Sequence, residues 1–157
     1  MTIRLIAIGK TDQSELNQLI SLYQNRLKHY IKLELEIIPD LKNVKNLSVE
    51  QQKEKEGDLI EQKIDANDCL ILLDEKGKQY TSVGFSDFIQ KKMNSGIKNL
   101  TFVIGGPYGF SKKIYDKAQG KLSLSEMTFS HQMIRLFFIE QIYRAFTILK
   151  NEPYHHE

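Results

Sequence analysis

Side chains able to take part in chemistry are concentrated in the second half of this 157-residue chain. Asp74 and Glu75 follow a short apolar run, and Gly105, Gly106 and Gly109 lie in the segment GGPYGF. Carboxylates can bind a metal or move a proton, and glycines can cradle a ligand with backbone groups. Taken alone, however, the acidic pair is more typical of a solvated loop and the glycines of a tight turn.

A predicted helix over 131–150 combines an apolar surface around most of its circumference with three charged residues, Arg135, Glu140 and Arg144. Charges within an apolar face are unfavourable unless they are paired or needed. One interpretation is an ion pair between Glu140 and Arg144, four residues apart. The other is that Arg135 or Arg144 binds an anion in a site between two subunits.

Histidines flank that helix on both sides. His131 opens it, while His155 and His156 belong to the tail NEPYHHE. A histidine at a helix start is usually only a hydrogen-bonding residue, and a chain terminus usually frays. Because the tail concentrates Tyr154 and two titratable imidazoles, we expect it to serve catalysis rather than folding.

The composition excludes several classes of protein. Lys and Arg number 22 against 20 Asp and Glu, so the net charge of +2 excludes a histone-like polycation. Cys69 is the single cysteine and cannot form an intramolecular disulfide, and the histidines lack zinc-site spacing. No apolar run reaches the length of a membrane span. We expect one cytoplasmic domain over 1–157, with no metal and no membrane association.

The elements that must position these residues alternate regularly between strand and helix. Strands are predicted at 3–8, 33–37, 69–73, 100–104 and 122–124, and helices at 16–30, 48–62, 83–93, 111–119 and 131–150. This order predicts an α/β domain with a mainly parallel sheet and helices on both faces. Ligands bind such sheets at the carboxyl ends of the strands. The loops 74–80, 105–111 and 125–130 are therefore the candidate site.

The last helix also predicts a homodimer. A helix that is apolar on most sides is buried on more than one side, and a domain of this size has little further core to cover it. A second copy of the chain, related by a two-fold axis, is the simplest cover.

Four blocks, in their order and spacing, resemble one family. They are Leu73-Asp74 with Gly77, FVIGGPYGF at 102–110, LSLSEMTFSHQMIRLFFIEQIYRAF at 122–146, and the terminal PYHHE. The chain resembles, over its whole length, the ribosomal RNA large subunit methyltransferase H family, which belongs to the SPOUT class of knotted methyltransferases.

That resemblance implies a homodimer whose chain is threaded through a trefoil knot at about 70–150. It implies S-adenosylmethionine as the cofactor and methylation of N3 of a pseudouridine in 23S ribosomal RNA, within the large subunit or the assembled ribosome. The glycines would let the backbone approach the cofactor. The implied cofactor-binding residues are Leu73, Gly105, Gly106, Leu124, Ser125, Glu126, Met127, Thr128 and Phe129.

Methyl transfer to an imide nitrogen requires that its proton be removed or that the imide anion be stabilised. His131, His155 and Tyr154 are candidates for the base, and Arg135 and Arg144 for electrostatic partners. Arg144 and the tail are the preferred catalytic group, and the identity of the base stays open.

Two residues depart from the family pattern. Ser130 stands where the family usually has proline, which would loosen the start of the last helix, and His156 stands where it usually has Lys or Arg. Two other functions compete with the methyltransferase. One is a non-enzymatic RNA-binding factor that uses Lys112, Lys113 and Lys117, and the other is a phosphate-binding enzyme that uses the loop 105–111.

Overall fold

The computed structural model describes residues 1–156 and contains the five predicted β-α units. Glu157, the last residue of the predicted catalytic tail, lies outside the described residues. A 3-10 turn at Val44–Asn46 follows the second strand. The strands and helices are β1 Thr2–Ile8, α1 Ser14–Leu27, β2 Lys32–Ile38, α2 Val49–Glu61, β3 Asp68–Lys78, α3 Ser82–Asn94, β4 Asn99–Ile104, α4 Lys112–Lys117, β5 Gly120–Leu122 and α5 Met133–Leu149.

The five strands form one sheet in the order β2-β1-β4-β3-β5, and every neighbouring pair is parallel, as predicted. The burial of each strand follows from its place in this order. β1 and β4 are interior strands and largely buried, whereas β2 lies at an edge and alternates Leu33 and Leu35 with Glu34 and Glu36.

Two hydrophobic clusters cover the two faces of the sheet. Residues of α1, α3 and α5 pack on the face that contains Leu5, and residues of α2 and α4 pack on the face that contains Ile6. Because successive strand residues point to opposite faces, each central strand contributes to both clusters. The prediction of helices on both faces is confirmed.

The junction between β3 and β5 differs from the prediction of a loop at 74–80. β3 continues to Lys78, and both Leu73 and Lys78 pair with Leu122, so residues 74–77 bulge between two points of contact. A Cβ atom at Gly77 would collide with the backbone of Leu122. Only glycine lets the two chain segments approach so closely, a constraint that hydrophobic periodicity does not reveal.

Serine residues fix the starts of α2 and α5. The predicted cap Ser48 forms a capping box with Gln51, whose backbone N–H lies 3.1 Å from Ser48 Oγ. At α5, Ser130 Oγ accepts a hydrogen bond from Met133 N at 3.1 Å. This hydroxyl satisfies one of the free N–H groups at the helix start, while the expected loosening relative to proline stays a prediction.

Most of the apolar surface of α5 is covered within the protomer. Leu136, Phe138, Ile139, Ile142, Ala145 and Phe146 are buried in the cluster that α5 shares with α1 and α3. Phe137 stays 40% exposed, and Ile134, one turn before it on the helix, is half-buried. The apolar face left for a partner is thus narrower than the sequence indicates. Within residues 1–156, no helix is long and apolar enough to cross a membrane.

Candidate functional site

A cavity of about 740 Å³ lies at the carboxyl ends of β3, β4 and β5. The three predicted loops meet here, because parallel strands place their carboxyl ends at one edge of the sheet. All the predicted cofactor residues line it except Glu126. Three helical residues outside the predicted loops also line the cavity, Lys53 of α2, Tyr115 of α4 and Ile134 of α5. No motif marks them, since they come from separate elements that only the fold brings together.

The glycines of the second loop are required by the protein itself. A Cβ atom at Gly105 would lie 3.0 Å from Phe110 Cε1, and one at Gly106 would collide with the carboxyl group of Glu56. An added Cβ atom would thus point into the protein, while the backbone of both glycines lines the cavity, and contact of this backbone with a cofactor stays a prediction. Gly109 has φ +80°, which makes the turn back toward Phe110.

Serine hydroxyls hold the third loop in shape. Ser123 N donates to Lys78 O at 3.0 Å, and Ser123 Oγ donates to Ser125 O at 2.8 Å. Ser125 Oγ then accepts from Met127 N at 3.0 Å. These bonds leave the Met127 side chain 78% exposed beside the cavity.

Asp74 is held in the cavity wall instead of lying in a solvated loop. Its Oδ1 accepts from Lys76 N at 2.8 Å, and its Oδ2 accepts from the Tyr115 hydroxyl. Burial and this hydrogen bond raise the pKa of Tyr115 to about 12, so its hydroxyl stays protonated as a donor to Asp74. Glu75, by contrast, is exposed, as predicted for a loop residue.

The cavity suits a ligand with both apolar and polar parts. Its volume falls within the range of small-molecule sites, and Leu73, Ile104 and Leu124 supply apolar contact beside backbone groups of the glycine loop.

The predicted catalytic residues fall into two groups, and the first lies near the cavity. His131 lines it. Arg135 is 1% exposed, and its guanidinium donates to Ile8 O at 2.7 Å and to Thr11 Oγ1 at 2.9 Å. Burial lowers the pKa of Arg135. Arg135 therefore ties α5 to the end of β1 and does not present its charge to a ligand.

The second group surrounds Glu140 on α5. Arg144 Nη2 forms the predicted ion pair with Glu140 at 2.7 Å, and the Tyr154 hydroxyl donates to Glu140 Oε1 at 2.8 Å. Arg144 Nη1 lies 3.3 Å from His155 Nδ1, which must accept because a guanidinium only donates. Burial and hydrogen bonds with Tyr23 and Glu140 raise the pKa of Tyr154, so its hydroxyl is protonated at neutral pH.

Within one protomer the two groups do not meet. Arg135 and Arg144 are nine residues apart on one helix, roughly 14 Å along its axis. The tail instead packs on α1 and α5: the Tyr154 hydroxyl lies 3.3 Å from that of Tyr23 on α1, and the rings of Tyr154 and Tyr143 on α5 are 4.8 Å apart. The expectation that the tail carries no folding role is therefore wrong.

The three lysines of the competing RNA-binding interpretation are already paired. Lys112 lies 2.6 Å from Asp116, while Lys113 and Lys117 each lie 2.9 Å from Glu61. Their charges are largely offset, which removes the basic strip that this interpretation needs. Among residues 1–156, no group of three or more His, Cys, Asp or Glu side chains could hold a metal ion.

A parallel α/β sheet with a glycine-lined cavity at its carboxyl edge defines a class of small-molecule-binding α/β proteins. Comparison with known proteins narrows this class. Residues 1–155 match the family model described as "Predicted SPOUT methyltransferase", so the chain belongs to the SPOUT methyltransferase family.

Relatives match over their full length. The chain is 71% identical to a protein of Flavobacterium johnsoniae, 70% to one of Flavobacterium psychrophilum and 63% to one of Parabacteroides distasonis, with 100% of both chains covered in each comparison. Each of these relatives is named ribosomal RNA large subunit methyltransferase H. The family resemblance drawn from the sequence is confirmed.

Proposed function

We propose that this chain transfers a methyl group from S-adenosylmethionine to N3 of a pseudouridine in 23S ribosomal RNA of the assembled ribosome. The observation that carries the proposal is the cavity at the carboxyl ends of β3–β5, in a chain 71% identical to a protein named as a large-subunit ribosomal RNA methyltransferase. A substrate of this kind implies that the protein works in the cytoplasm.

Residues of the three loops would hold the cofactor. Leu73, Gly105 and Gly106 would contact it, together with residues 124–129. When bound, S-adenosylmethionine supplies a methyl group on a positively charged sulfur. The protein's part is to orient that group toward the target base and to exclude water.

A knotted chain path accompanies this proposal. Leu122 pairs with both Leu73 and Lys78, and Ser123 N donates to Lys78 O, so the segment after β5 begins between two parts of β3. This close approach supports threading of the C-terminal part through a trefoil knot. α5, which carries the catalytic candidates, would follow the threaded segment.

The active site would be completed by a second copy of the chain. Ile134, Phe137, Gln141 and Arg144 lie three or four residues apart and form one incompletely buried face of α5. If two copies pack this face antiparallel about a two-fold axis, Arg144 of one copy approaches Ile134 of the other. We call Arg144, Tyr154 and His155 the tail group. Because Ile134 lines the cavity, the tail group of the partner would then reach the methyl donor.

In that arrangement each candidate has a chemical role. The guanidinium of Arg144 would stabilise the imide anion of the target base, and the protonated Tyr154 hydroxyl would exchange its hydrogen bond with Glu140 for one to this anion. His131 of the cavity and His155 of the tail are the two candidates to accept the N3 proton. The single-turnover rate of His131→Ala and His155→Ala, measured as a function of pH, separates them. Loss of the base removes the inflection at low pH from the curve of rate against pH.

The proposal is tested by incubating the protein and S-adenosylmethionine with ribosomes from a strain that lacks the gene. Nucleoside mass spectrometry of the ribosomal RNA should show one new N3-methylpseudouridine. Methylation of a different nucleoside would disprove the proposed target, and an absence of any methyl transfer would disprove the activity.

A further inference from the structure

Glu56 is a buried carboxyl group for which neither the fold nor the proposed mechanism has a use. It lies on α2 and is only 3% exposed. Gln52 Nε2 donates to its Oε1 at 3.0 Å, and within residues 1–156 its Oε2 has no hydrogen-bond partner. A buried, half-satisfied carboxyl group is unfavourable for stability, so its presence calls for an explanation.

The position of Glu56 supplies one. Its carboxyl group lies directly against Gly106, where it fills the space that a Cβ atom would occupy. Gly106 lines the cavity and Glu56 does not. A single glycine residue therefore separates the carboxyl group from the ligand.

α2 is fixed in this position at two further points. The capping box at Ser48 orders its first turn. At Gly57, next to Glu56, a Cβ atom would collide with Ser111 Oγ, so the helix backbone packs directly on the start of α4. The carboxyl group consequently has little freedom to turn away from the cavity.

Among residues 1–156, no Lys or Arg side chain forms an ion pair with Glu56. Its pKa is raised mainly by burial; Asp40 raises it further, whereas the Gln52 hydrogen bond and His131 lower it. On the same helix, Lys53 lines the cavity and its Nζ lies 3.4 Å from Glu50 Oε1. A cation placed in the cavity would be a favourable partner for the Glu56 carboxylate.

We propose that Glu56 is a positioning residue whose carboxylate, behind Gly106, makes the cavity bind the cationic methyl donor more tightly than its neutral thioether product. This inference rests on the proposed function. When the methyl group leaves with its bond to sulfur broken, the electron pair stays on sulfur and the sulfonium charge disappears. The attraction between the Glu56 carboxylate and the sulfonium is stronger across one residue of protein than it would be across water. Loss of the sulfonium charge therefore favours product release.

The test compares two ligands by calorimetry at pH 8, S-adenosylmethionine and S-adenosylhomocysteine. In Glu56→Gln, which keeps shape but removes charge, affinity for the methyl donor should fall roughly tenfold. Affinity for the thioether should stay within about twofold. Glu56→Asp, which keeps the charge, should retain the preference for the methyl donor.

The matched control is Glu61→Gln, on the same helix. It removes the same charge, but the Glu61 side chain is 40% exposed and pairs with Lys113 and Lys117. In Glu61→Gln, the ratio of the affinities for S-adenosylmethionine and S-adenosylhomocysteine should be the same as in the wild type. Equal losses of affinity for both ligands in Glu56→Gln would show that the role of Glu56 is purely structural. Unchanged affinity for both would show that Glu56 has no role in binding. Either result would overturn the inference. A wild-type protein that binds neither ligand would overturn the proposed function itself.

Discussion

Two buried charged residues near the cavity have opposite consequences. Arg135 gives its two terminal nitrogens to Ile8 O and Thr11 Oγ1, and it thereby joins α5 to β1. Among residues 1–156, Glu56 Oε2 has no hydrogen-bond partner, and of the Arg135 guanidinium only Nε lacks one. The two hydrogen bonds of Arg135 stabilise the fold, whereas the half-satisfied Glu56 carboxyl group lowers stability and, in our proposal, serves ligand binding.

Replacement of the Glu56 carboxyl group should stabilise the protein at neutral pH. The pKa of Glu56 is raised in the folded state, so the group contributes favourably to the free energy of unfolding at low pH. This contribution is lost as the pH rises from the pKa of the unfolded state through that of the folded state. Glu56→Gln should raise the melting temperature by about 2–4 °C at pH 8. The gain should shrink as the pH falls toward 4. A melting curve at pH 8 identical to that of wild type would contradict this.

The two arginines of α5 should differ in what their loss affects. Arg135→Gln leaves the Ile8 carbonyl unpaired and should reduce the free energy of unfolding by about 1–3 kcal/mol in urea denaturation. Arg144→Gln removes a partly exposed ion pair and should change stability by less than about 1 kcal/mol. Its methyl transfer should nevertheless fall roughly 10²-fold. Full activity of Arg144→Gln would remove this residue from the catalytic group.

At the scale of elements, local sequence signals were sufficient where neighbours in the chain decide the structure. Apolar runs predicted the five strands, helical spacing of apolar residues predicted α1, α3 and α5, and Ser48 marked the start of the polar helix α2. The errors arose where distant segments meet. The contact of Gly77 with Leu122 and the packing of Tyr154 on Tyr143 depend on chain paths that periodicity cannot show.

The same limit applies to the candidate site. The three loops could be predicted because strand ends in a parallel sheet share one edge. The roles of Glu56 and Tyr115 could not, since each lies on a helix whose rotation about its axis is set by tertiary packing. Their residue types alone indicate only a solvated glutamate and a helix aromatic.

Substitution at the β3–β5 junction should be much more harmful than at an ordinary turn. A Cβ atom in Gly77→Ala meets the backbone of Leu122, which cannot move without breaking the pairing of β5. We expect the loss of unfolding free energy to exceed that of Gly96→Ala. Gly96 has φ +74° but no atom within 4 Å of a Cβ, so about 1 kcal/mol of backbone strain is the expected effect. Equal denaturation midpoints for the two variants would argue against a tight junction.

At the scale of the whole molecule, the proposed dimer can be tested on the exposed face of α5. Phe138 and Ile142 are unsuitable because both are fully buried inside the protomer. Phe137→Asp changes a side chain that is 40% exposed and should convert dimer to monomer in sedimentation velocity, with loss of methyl transfer. Val49→Asp on α2, at 47% exposure, is the control and should remain dimeric. An active monomer would exclude a site shared between subunits.

The most direct measurement mixes two inactive variants and follows methyl transfer to ribosomes. Thr128→Trp fills the cavity with a bulky side chain, and Arg144→Gln removes the tail group's cation. A mixed dimer has one site with both an intact cavity and an intact Arg144. If dimers re-form at random from equal amounts, about a quarter of wild-type activity should return. A mixture as inactive as its components would contradict a site built from the cavity of one copy and the tail group of the other.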